Sequence, residues 1–171
     1  ISATAYPELT PNMIALSNER NNTLFVVGDT PMRLGPDGNS LVSWATNNLG
    51  LGLDTEDGLT STSNYAANFY PSCQTNDLSG NTVISAPSHM MMRTIVNSDN
   101  KSYLWFAPAG TRRGTVDNAS SVGYLNENGE YKTVSLHQGL RDVLQDPAVA
   151  INPIATLPGV GLVNMGQRTR A

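Results

Sequence analysis

The sequence has a single cysteine, few charged residues and no long apolar run. Cys73 has no partner within the chain, so a fold held together by internal disulfide bonds is excluded. Charged residues make up 14% of the 171 residues, whereas soluble domains usually contain about 25%. No apolar run approaches the roughly 20 residues of a membrane-spanning helix, so the sequence predicts no direct membrane insertion.

Basic surface is also scarce. The formal net charge is −4 and the isoelectric point is about 5.0. A nucleic-acid-binding domain normally carries a stripe of lysine and arginine. The basic pairs here are Arg112 with Arg113 and Arg168 with Arg170, and neither alternates with aromatic residues that could stack on bases. The composition therefore excludes nucleic acid as an expected partner.

Catalytic patterns are missing as well. The chain has two histidines, His89 and His137, and no Gly-x-Ser-x-Gly nucleophile elbow. Neither histidine has a second one three to five residues away, as metal sites often require. Gly159-x-Gly161 opens a predicted strand, whereas a phosphate-binding loop must open a helix. We therefore predict no catalytic residues, no cofactor-binding residues and no metal ligands, and no cofactor.

One acidic segment resembles a calcium-binding loop only in part. Asp54, Glu56 and Asp57 are followed by a glycine, as in an EF-hand loop. The twelfth loop position, where a bidentate glutamate is needed, holds Tyr65. We interpret the segment as a solvated polar loop.

Periodic apolar patterns predict both helices and strands. Helical spacing and breaker residues predict helices at residues 10–22, 40–48, 85–97 and 135–146. Short apolar or aromatic runs predict strands at residues 23–28, 65–70, 103–107, 151–156 and 161–166. Thr10 is the expected N-cap of the first helix, with Pro11 behind it. Ser135 and Gln138 form an expected capping box at the last helix.

These elements predict a mixed α/β (α+β) fold made of one layered domain. Strands and helices alternate along the chain, which favours helices packed on a β-sheet. The last two strands are joined by a tight turn at residues 157–160, so they should form a C-terminal antiparallel pair, and the sheet should be mixed. The length and the 39% hydrophobic content suit a single domain over residues 1–171 with a real core.

Three segments, in order, resemble tail sheath proteins of contractile bacteriophages and related injection systems. Residues 68–71 read Asn-Phe-Tyr-Pro, where the family carries a Tyr-Tyr-Pro-Trp-like strand. Residues 85–110 begin Ser-Ala-Pro-Ser-His and end Leu-Trp-Phe-Ala-Pro-Ala-Gly, similar to the family's Pro-Pro-Ser and Trp-Lys-Ala-Pro-Ala-Gly stretch. Residues 151–169 contain Ile-Asn-Pro-Ile, Pro-Gly-Val-Gly and Gly-Gln-Arg-Thr, similar to the family's Ile-Asn-x-Ile, Pro-Gly-x-Gly and Gly-x-Arg-Thr.

The resemblance implies a structural virion protein and not an enzyme. Such a protein would be a fragment of a longer sheath subunit, lacking the C-terminal region that links neighbouring subunits. Its implied partners are copies of itself in hexameric helical rings, the tail tube, and baseplate and neck proteins. Its implied location is the tail sheath of the virion, after assembly in the host cytoplasm. We expect the isolated fragment to be monomeric or weakly associating.

Two other functions remain open at the level of the sequence. A receptor- or carbohydrate-binding virion domain could line a groove with aromatic side chains, and exposed, coplanar rings would favour it; the candidates are Trp44, Tyr65, Tyr70, Tyr103 and Trp105. A small hydrolase could use His89 or His137 with a nearby serine. It would require a hydroxyl–imidazole contact near 3 Å and a backbone oxyanion site.

Overall fold

The computed structural model describes residues 1–46, 58–59 and 61–171. The acidic segment at Asp54, Glu56 and Asp57, and the predicted end of the second helix at residues 47–52, lie outside the described residues. Five helices and eight strands are present within the described part. The helices are α1 Thr10–Glu19, α2 Gly38–Thr46, α3 Pro87–Lys101, α4 Gly110–Arg113 and α5 Gln138–Leu144. The strands are β1 Val26–Asp29, β2 Ala66–Tyr70, β3 Ser72–Asn76, β4 Thr82–Ser85, β5 Ser121–Leu125, β6 Tyr131–Thr133, β7 Ile151–Leu157 and β8 Gly161–Asn164.

The first sheet is mixed, as the sequence predicts. Its strand order is β1-β2-β7-β8. Strand β2 pairs in parallel with both β1 and β7, while β7 and β8 form the predicted antiparallel hairpin. Every residue of β1 and β2 is buried, because helices cover both faces of the parallel strands. The predicted α/β class is therefore confirmed.

A second, antiparallel sheet was not predicted. Its order is β4-β3-β5-β6. The chain enters it directly from the first sheet, since β3 begins one residue after Pro71 and β2 ends one residue before it. Its strands are short and mix serine and threonine with apolar residues, and only a few of their side chains are fully buried. This composition gives little of the apolar alternation by which strands are recognised.

The core lies on both faces of the first sheet. One cluster packs α2 and α5 against the sheet and contains Trp44, Leu144 and Ile151. A second cluster packs α3 against the opposite face and contains Met90 and Ile154. A third, smaller cluster packs α1 on β1 and β2. Successive strand side chains point to opposite faces, so Ile151 and Ile154 belong to different clusters. The predicted core role of the Met90 helix is confirmed.

Both predicted N-caps are wrong. Thr10 is the first residue of α1 and its buried hydroxyl has no hydrogen-bond partner within the described part. A short 3₁₀ helix, Pro7–Leu9, runs directly into α1, so the chain is already helical where a capping residue would stand. At α5 the N-cap is His137, whose Nδ1 accepts a hydrogen bond from the Leu140 amide at 3.3 Å.

The predicted aromatic strand at residues 103–107 is also wrong. Helix α3 continues to Lys101, beyond its predicted end at residue 97, and residues 103–107 form a turn and a bend with no strand. Tyr103, Leu104 and Trp105 are exposed over 70%, 82% and 77% of their surfaces. The predicted strand at residues 23–28 begins only at Val26, and Phe25 is partly exposed.

The Arg170 side chain is buried and joins the last residues of the chain to the core by hydrogen bonds. It is only 5% exposed, and burial lowers the pKa of its guanidinium. The guanidinium donates hydrogen bonds to three backbone carbonyls, those of Val149, Ala45 and Leu59, at 2.5, 3.2 and 3.1 Å. These carbonyls belong to three separate stretches of chain, so one side chain joins α2, residue 59 and the start of β7.

Arg170→Met should destabilise the fold by about 2–4 kcal/mol, because three buried carbonyls lose charged donors while the side chain keeps its bulk. Urea unfolding followed by circular dichroism measures the difference. Arg168→Met is the matched control, since Arg168 is exposed and its side chain makes no hydrogen bond with described residues. Equal stabilities of the two variants would contradict the role given to Arg170.

Candidate functional site

Two of the three family-like segments, residues 68–71 and 151–169, meet through the side chain of Asn152. Asn152 lies in β7 and is fully buried. Its Nδ2 donates to the carbonyl of Asn68 at 3.1 Å and to the carbonyl of Arg168 at 2.8 Å. Its Oδ1 accepts from the Arg168 amide at 2.7 Å. One carboxamide thus joins β2, β7 and the segment that follows β8.

Asn164, at the end of β8, makes a second junction of the same kind. Its Nδ2 donates to the carbonyls of Pro108 and Gly166, each at 2.8 Å. Its Oδ1 accepts from the Gly166 amide at 3.3 Å, and its own amide donates to the Gly114 carbonyl at 2.7 Å. The loop at residues 108–110 is therefore held against the C-terminal segment.

Two positions at these junctions must be glycine, because neighbouring atoms come too close for a Cβ atom. A Cβ on Gly166 would lie 2.5 Å from Asn152 Oδ1, and a Cβ on Gly114 would lie 2.6 Å from the Asn164 carbonyl. Real Cβ atoms are essentially never that close to a neighbour, so a side chain at Gly166 would displace Asn152 and one at Gly114 would displace the backbone of Asn164. Packing against Asn152 thus explains why the Gly-Gln-Arg-Thr segment begins with a glycine, Gly166.

The start of the middle segment is tied to the first strand by Asp29. Its carboxylate accepts hydrogen bonds from the Ser88 amide at 2.7 Å, the Ser88 hydroxyl at 2.8 Å and the Ala5 amide at 2.9 Å. Asp29 is 2% exposed. Desolvation by burial raises the pKa of this carboxyl, although the three hydrogen bonds act against the rise. The carboxylate anchors the N-terminus of α3 on the sheet.

A groove of about 620 Å³ opens beside the two asparagine junctions. It is lined by Ala109, Gly110, Gln145, Met165, Gly166, Gln167 and Arg168. Gln145 Nε2 donates to the Met165 carbonyl at 2.9 Å and fixes one wall. The lining offers amides, backbone groups and one guanidinium, which can recognise a polar chain segment but supply no general acid or base near neutral pH.

The histidines lie apart from this groove. His137 caps α5, and His89 lies in the first turn of α3. Among the described residues, neither imidazole makes the hydroxyl contact that a hydrolase would require, and no three metal-binding side chains are grouped together. In the same part of the chain, no helix is long and apolar enough to cross a membrane.

The aromatic candidates divide between core and surface. Trp44 and Tyr70 are buried, and the Tyr70 hydroxyl donates to the Leu34 carbonyl at 3.1 Å. Tyr65 is 43% exposed. Tyr103 and Trp105 are exposed and stack on each other, with ring centroids 5.6 Å apart and an angle of 5° between the planes. The sequence named both residues as candidates for a groove but placed them in a strand, whereas they lie in the turn after α3.

Asn152→Asp should cost about 2–4 kcal/mol of stability. The variant keeps the shape and the acceptor for the Arg168 amide, but it places a buried negative charge against two carbonyl oxygens and removes both donated bonds. Urea unfolding measures the loss. Asn128→Asp, at an exposed turn position, should change the free energy of unfolding by less than about 0.5 kcal/mol. A similarly small change in the free energy of unfolding for Asn152→Asp would contradict the stabilising role given to the Asn152 hydrogen bonds.

The raised pKa of Asp29 predicts that the stability of the fold depends on pH. Because its pKa is raised in the folded state above the ordinary value of 3.8, its contribution to stability is fully present below that value and is lost as pH rises through the folded pKa. The stability of the wild type relative to Asp29→Asn should therefore fall as the pH rises above the ordinary pKa of 3.8. Urea unfolding of both proteins below and above this pH measures the difference, with the exposed Asp142→Asn as control. A difference that rises with pH would show that the hydrogen bonds outweigh burial.

No protein-family model matches this sequence, and no curated protein matches it significantly. Solved structures do match. The contracted helical sheath of the anti-feeding prophage is 18% identical, with a TM-score of 0.59 over 92% of this chain and 34% of that one. The contracted sheath complex of an extracellular contractile injection system, PVC, is 20% identical, with a TM-score of 0.55 over 85% and 33%.

A third match is the baseplate of the anti-feeding prophage, at 19% identity and a TM-score of 0.51 over 95% of this chain and 41% of that one. This chain spans about a third of the length of the two sheath chains. The resemblance carried by the three sequence segments is therefore confirmed at the level of the fold, which is that of a part of contractile sheath structures.

Proposed function

We propose that this chain is a domain of a contractile sheath subunit, in a longer protein that surrounds a tail tube. Its role is structural: it contributes one part of the subunit's fold and of its contact surface, and it catalyses no reaction. Contraction of such a sheath drives the tube through the envelope of the target cell during delivery.

The observation that carries this proposal is the convergence of the three family-like segments on Asn152 and Asn164. Segments 68–71, 108–110 and 151–168 are far apart in the sequence, yet these two carboxamides bond all three together. Residues that recur in a family pattern and meet in space without forming a catalytic group support a structural role. The sheath fold of the solved neighbours supports the same role independently.

The proposed partners follow from this role. The subunit assembles with copies of itself in hexameric helical rings, and contacts the tail tube, the baseplate and the neck proteins. It resides in the sheath of a virion or virion-like particle, after assembly in the host cytoplasm. Energy for contraction is stored in subunit interfaces that have two discrete packings, so no nucleotide is consumed.

A second candidate is a carbohydrate- or receptor-binding virion domain. The observation that favours it is the exposed, nearly parallel pair Tyr103 and Trp105, since sugar rings bind to exposed aromatic faces. The pair lies on a protruding turn, however, whereas small-ligand sites are concave and place polar groups around the ligand. The sheath role accounts for more of the observed features, including the contacts of Asn152 and Asn164.

Electron microscopy of the full-length parent protein tests the proposal. The purified parent should form tubes of uniform, sheath-like width, because a helical assembly arises from repeated head-to-tail contacts. The 171-residue chain alone is the matched control and should form no tubes, being monomeric or weakly associating. Isolated globules of the parent under all assembly conditions would contradict the proposed function.

A further inference from the structure

The exposed segment after α3 forms an aromatic surface, defined here as Tyr103, Leu104, Trp105 and Phe106. Three of these four side chains are at least 70% exposed, and Phe106 is 40% exposed. The rings are ordered on one another: Tyr103 stacks on Trp105, and Trp105 lies 5.7 Å from Phe106 between ring centroids. Contiguous exposed apolar side chains of this size mark contact surfaces in soluble proteins.

A basic cleft adjoins the aromatic surface. It has a volume of about 220 Å³, and the side chains that line it include Lys101, Arg112, Arg113 and Ser98. The Arg113 guanidinium lies 5.1 Å above the Phe106 ring and so belongs to both features. The one acid of the cleft, Asp117, is paired with Arg93 at 3.3 Å. Within the described part of the chain, Lys101, Arg112 and Arg113 have no carboxylate within 4.0 Å.

Ser98 is a second sign that the cleft receives a ligand. Its side chain lines the cleft, the residue is 3% exposed, and its hydroxyl has no hydrogen-bond partner among the described residues. Buried hydroxyls are nearly always bonded. An acceptor group entering the cleft would satisfy this one.

A complementary feature lies elsewhere on the same chain. The turn between β3 and β4 presents an acidic tip, defined as Asp77 and Leu78. Leu78 is fully exposed, at 109% of its reference surface, so it contacts nothing within its own copy. Asp77 accepts hydrogen bonds from the Ser79 amide at 2.8 Å, and from the amide and side chain of Asn81 at 2.8 and 3.0 Å. The tip is therefore a rigid knob with a fixed carboxylate.

We propose that the acidic tip of one copy docks into the basic cleft and aromatic surface of the next copy. The Asp77 carboxylate faces Lys101, Arg112 and Arg113, and Leu78 packs on Leu104 and Trp105. This contact joins two different surfaces, so it is head-to-tail. Such contacts form an open helical chain where the rotation between copies does not close into a ring, and the proposed sheath role requires that helical order. The proposal rests on the proposed sheath function, which supplies identical copies in helical order.

A second copy fits these surfaces better than a sugar does. The cleft is cationic and the adjoining surface is aliphatic and aromatic, so the occupant must carry an anion beside an apolar group. Neutral sugars lack the anion, and a free anion leaves Leu104 and Trp105 uncovered. The tip combines both chemistries on adjacent residues, and charge complementarity of this kind fixes the register of an interface.

Cysteine trapping in the 171-residue chain tests the contact. A variant with both Leu78→Cys and Leu104→Cys, oxidised at high protein concentration, should give a ladder of dimers, trimers and longer species. Leu78→Cys with Val160→Cys is the matched control, because Val160 is 44% exposed and lies in the β7–β8 turn. The first pair should cross-link at least about tenfold faster, since docking raises the local thiol concentration. Cys73 is buried and burial raises the pKa of its thiol to about 12, which keeps it inert.

Charge reversal gives an independent readout. Arg112→Glu with Arg113→Glu, added to the Leu78→Cys and Leu104→Cys pair, should slow cross-linking at least about tenfold. Equal rates for the test and control pairs, or a product that stops at dimers, overturn the docking proposal. A sugar that binds Trp105 while the cysteines fail to trap overturns it in favour of a carbohydrate site. If the parent protein forms tubes but the cysteines do not cross-link, the sheath function is supported and only this contact is wrong.

Discussion

The carboxamide of Asn152 is the interaction on which the rest of the fold depends. It holds β2, β7 and the segment after β8 together with three hydrogen bonds in a place that water does not reach. Asn68, on the neighbouring strand, donates to the Asp29 carbonyl at 3.3 Å, and Asn164 binds the loop at residue 108. Neutral carboxamides suit this task, because each offers both donors and acceptors and carries no charge whose burial would cost several kcal/mol.

This use of asparagine explains part of the unusual composition. A chain with 14% charged residues can form few ion pairs, and the structure shows two between described side chains, both exposed. Exposed pairs of this kind contribute little to stability. The connections between distant segments come instead from buried amides, from the Arg170 guanidinium on backbone carbonyls and from the Asp29 carboxylate on Ser88.

Local signals predicted the first sheet but not the second. The apolar runs at β1, β2 and β7 and the tight turn before β8 depend on residue type alone, so the sequence reveals them. Strand β3 is mostly polar. It pairs with β5 across a long stretch of chain, and no local pattern encodes that pairing. The helix starts were misplaced because a 3₁₀ turn precedes α1 and a histidine caps α5.

The site was predictable only in its parts. The three segments could be recognised one by one, but the roles of Asn152, Asn164 and Gly166 depend on distances between segments that only the folded chain defines. The aromatic run at residues 103–106 shows a second limit of local patterns, because it was predicted as a strand and is an exposed turn. Tyrosine, tryptophan and phenylalanine are enriched in strands because they pack on half-buried surfaces, and the same property suits them to a surface that another molecule covers.

The scarcity of charge makes a local cluster of basic side chains informative. On a surface of mostly neutral polar groups, the proposed contact of Asp77 with Arg112 and Arg113 would select one orientation between copies without adding a large desolvation cost. A head-to-tail contact formed by one knob and one cleft has a small area and a defined register, so it can break and reform as neighbouring copies move. Contacts of that kind suit the proposed assembly, which passes between two discrete packings of its subunits.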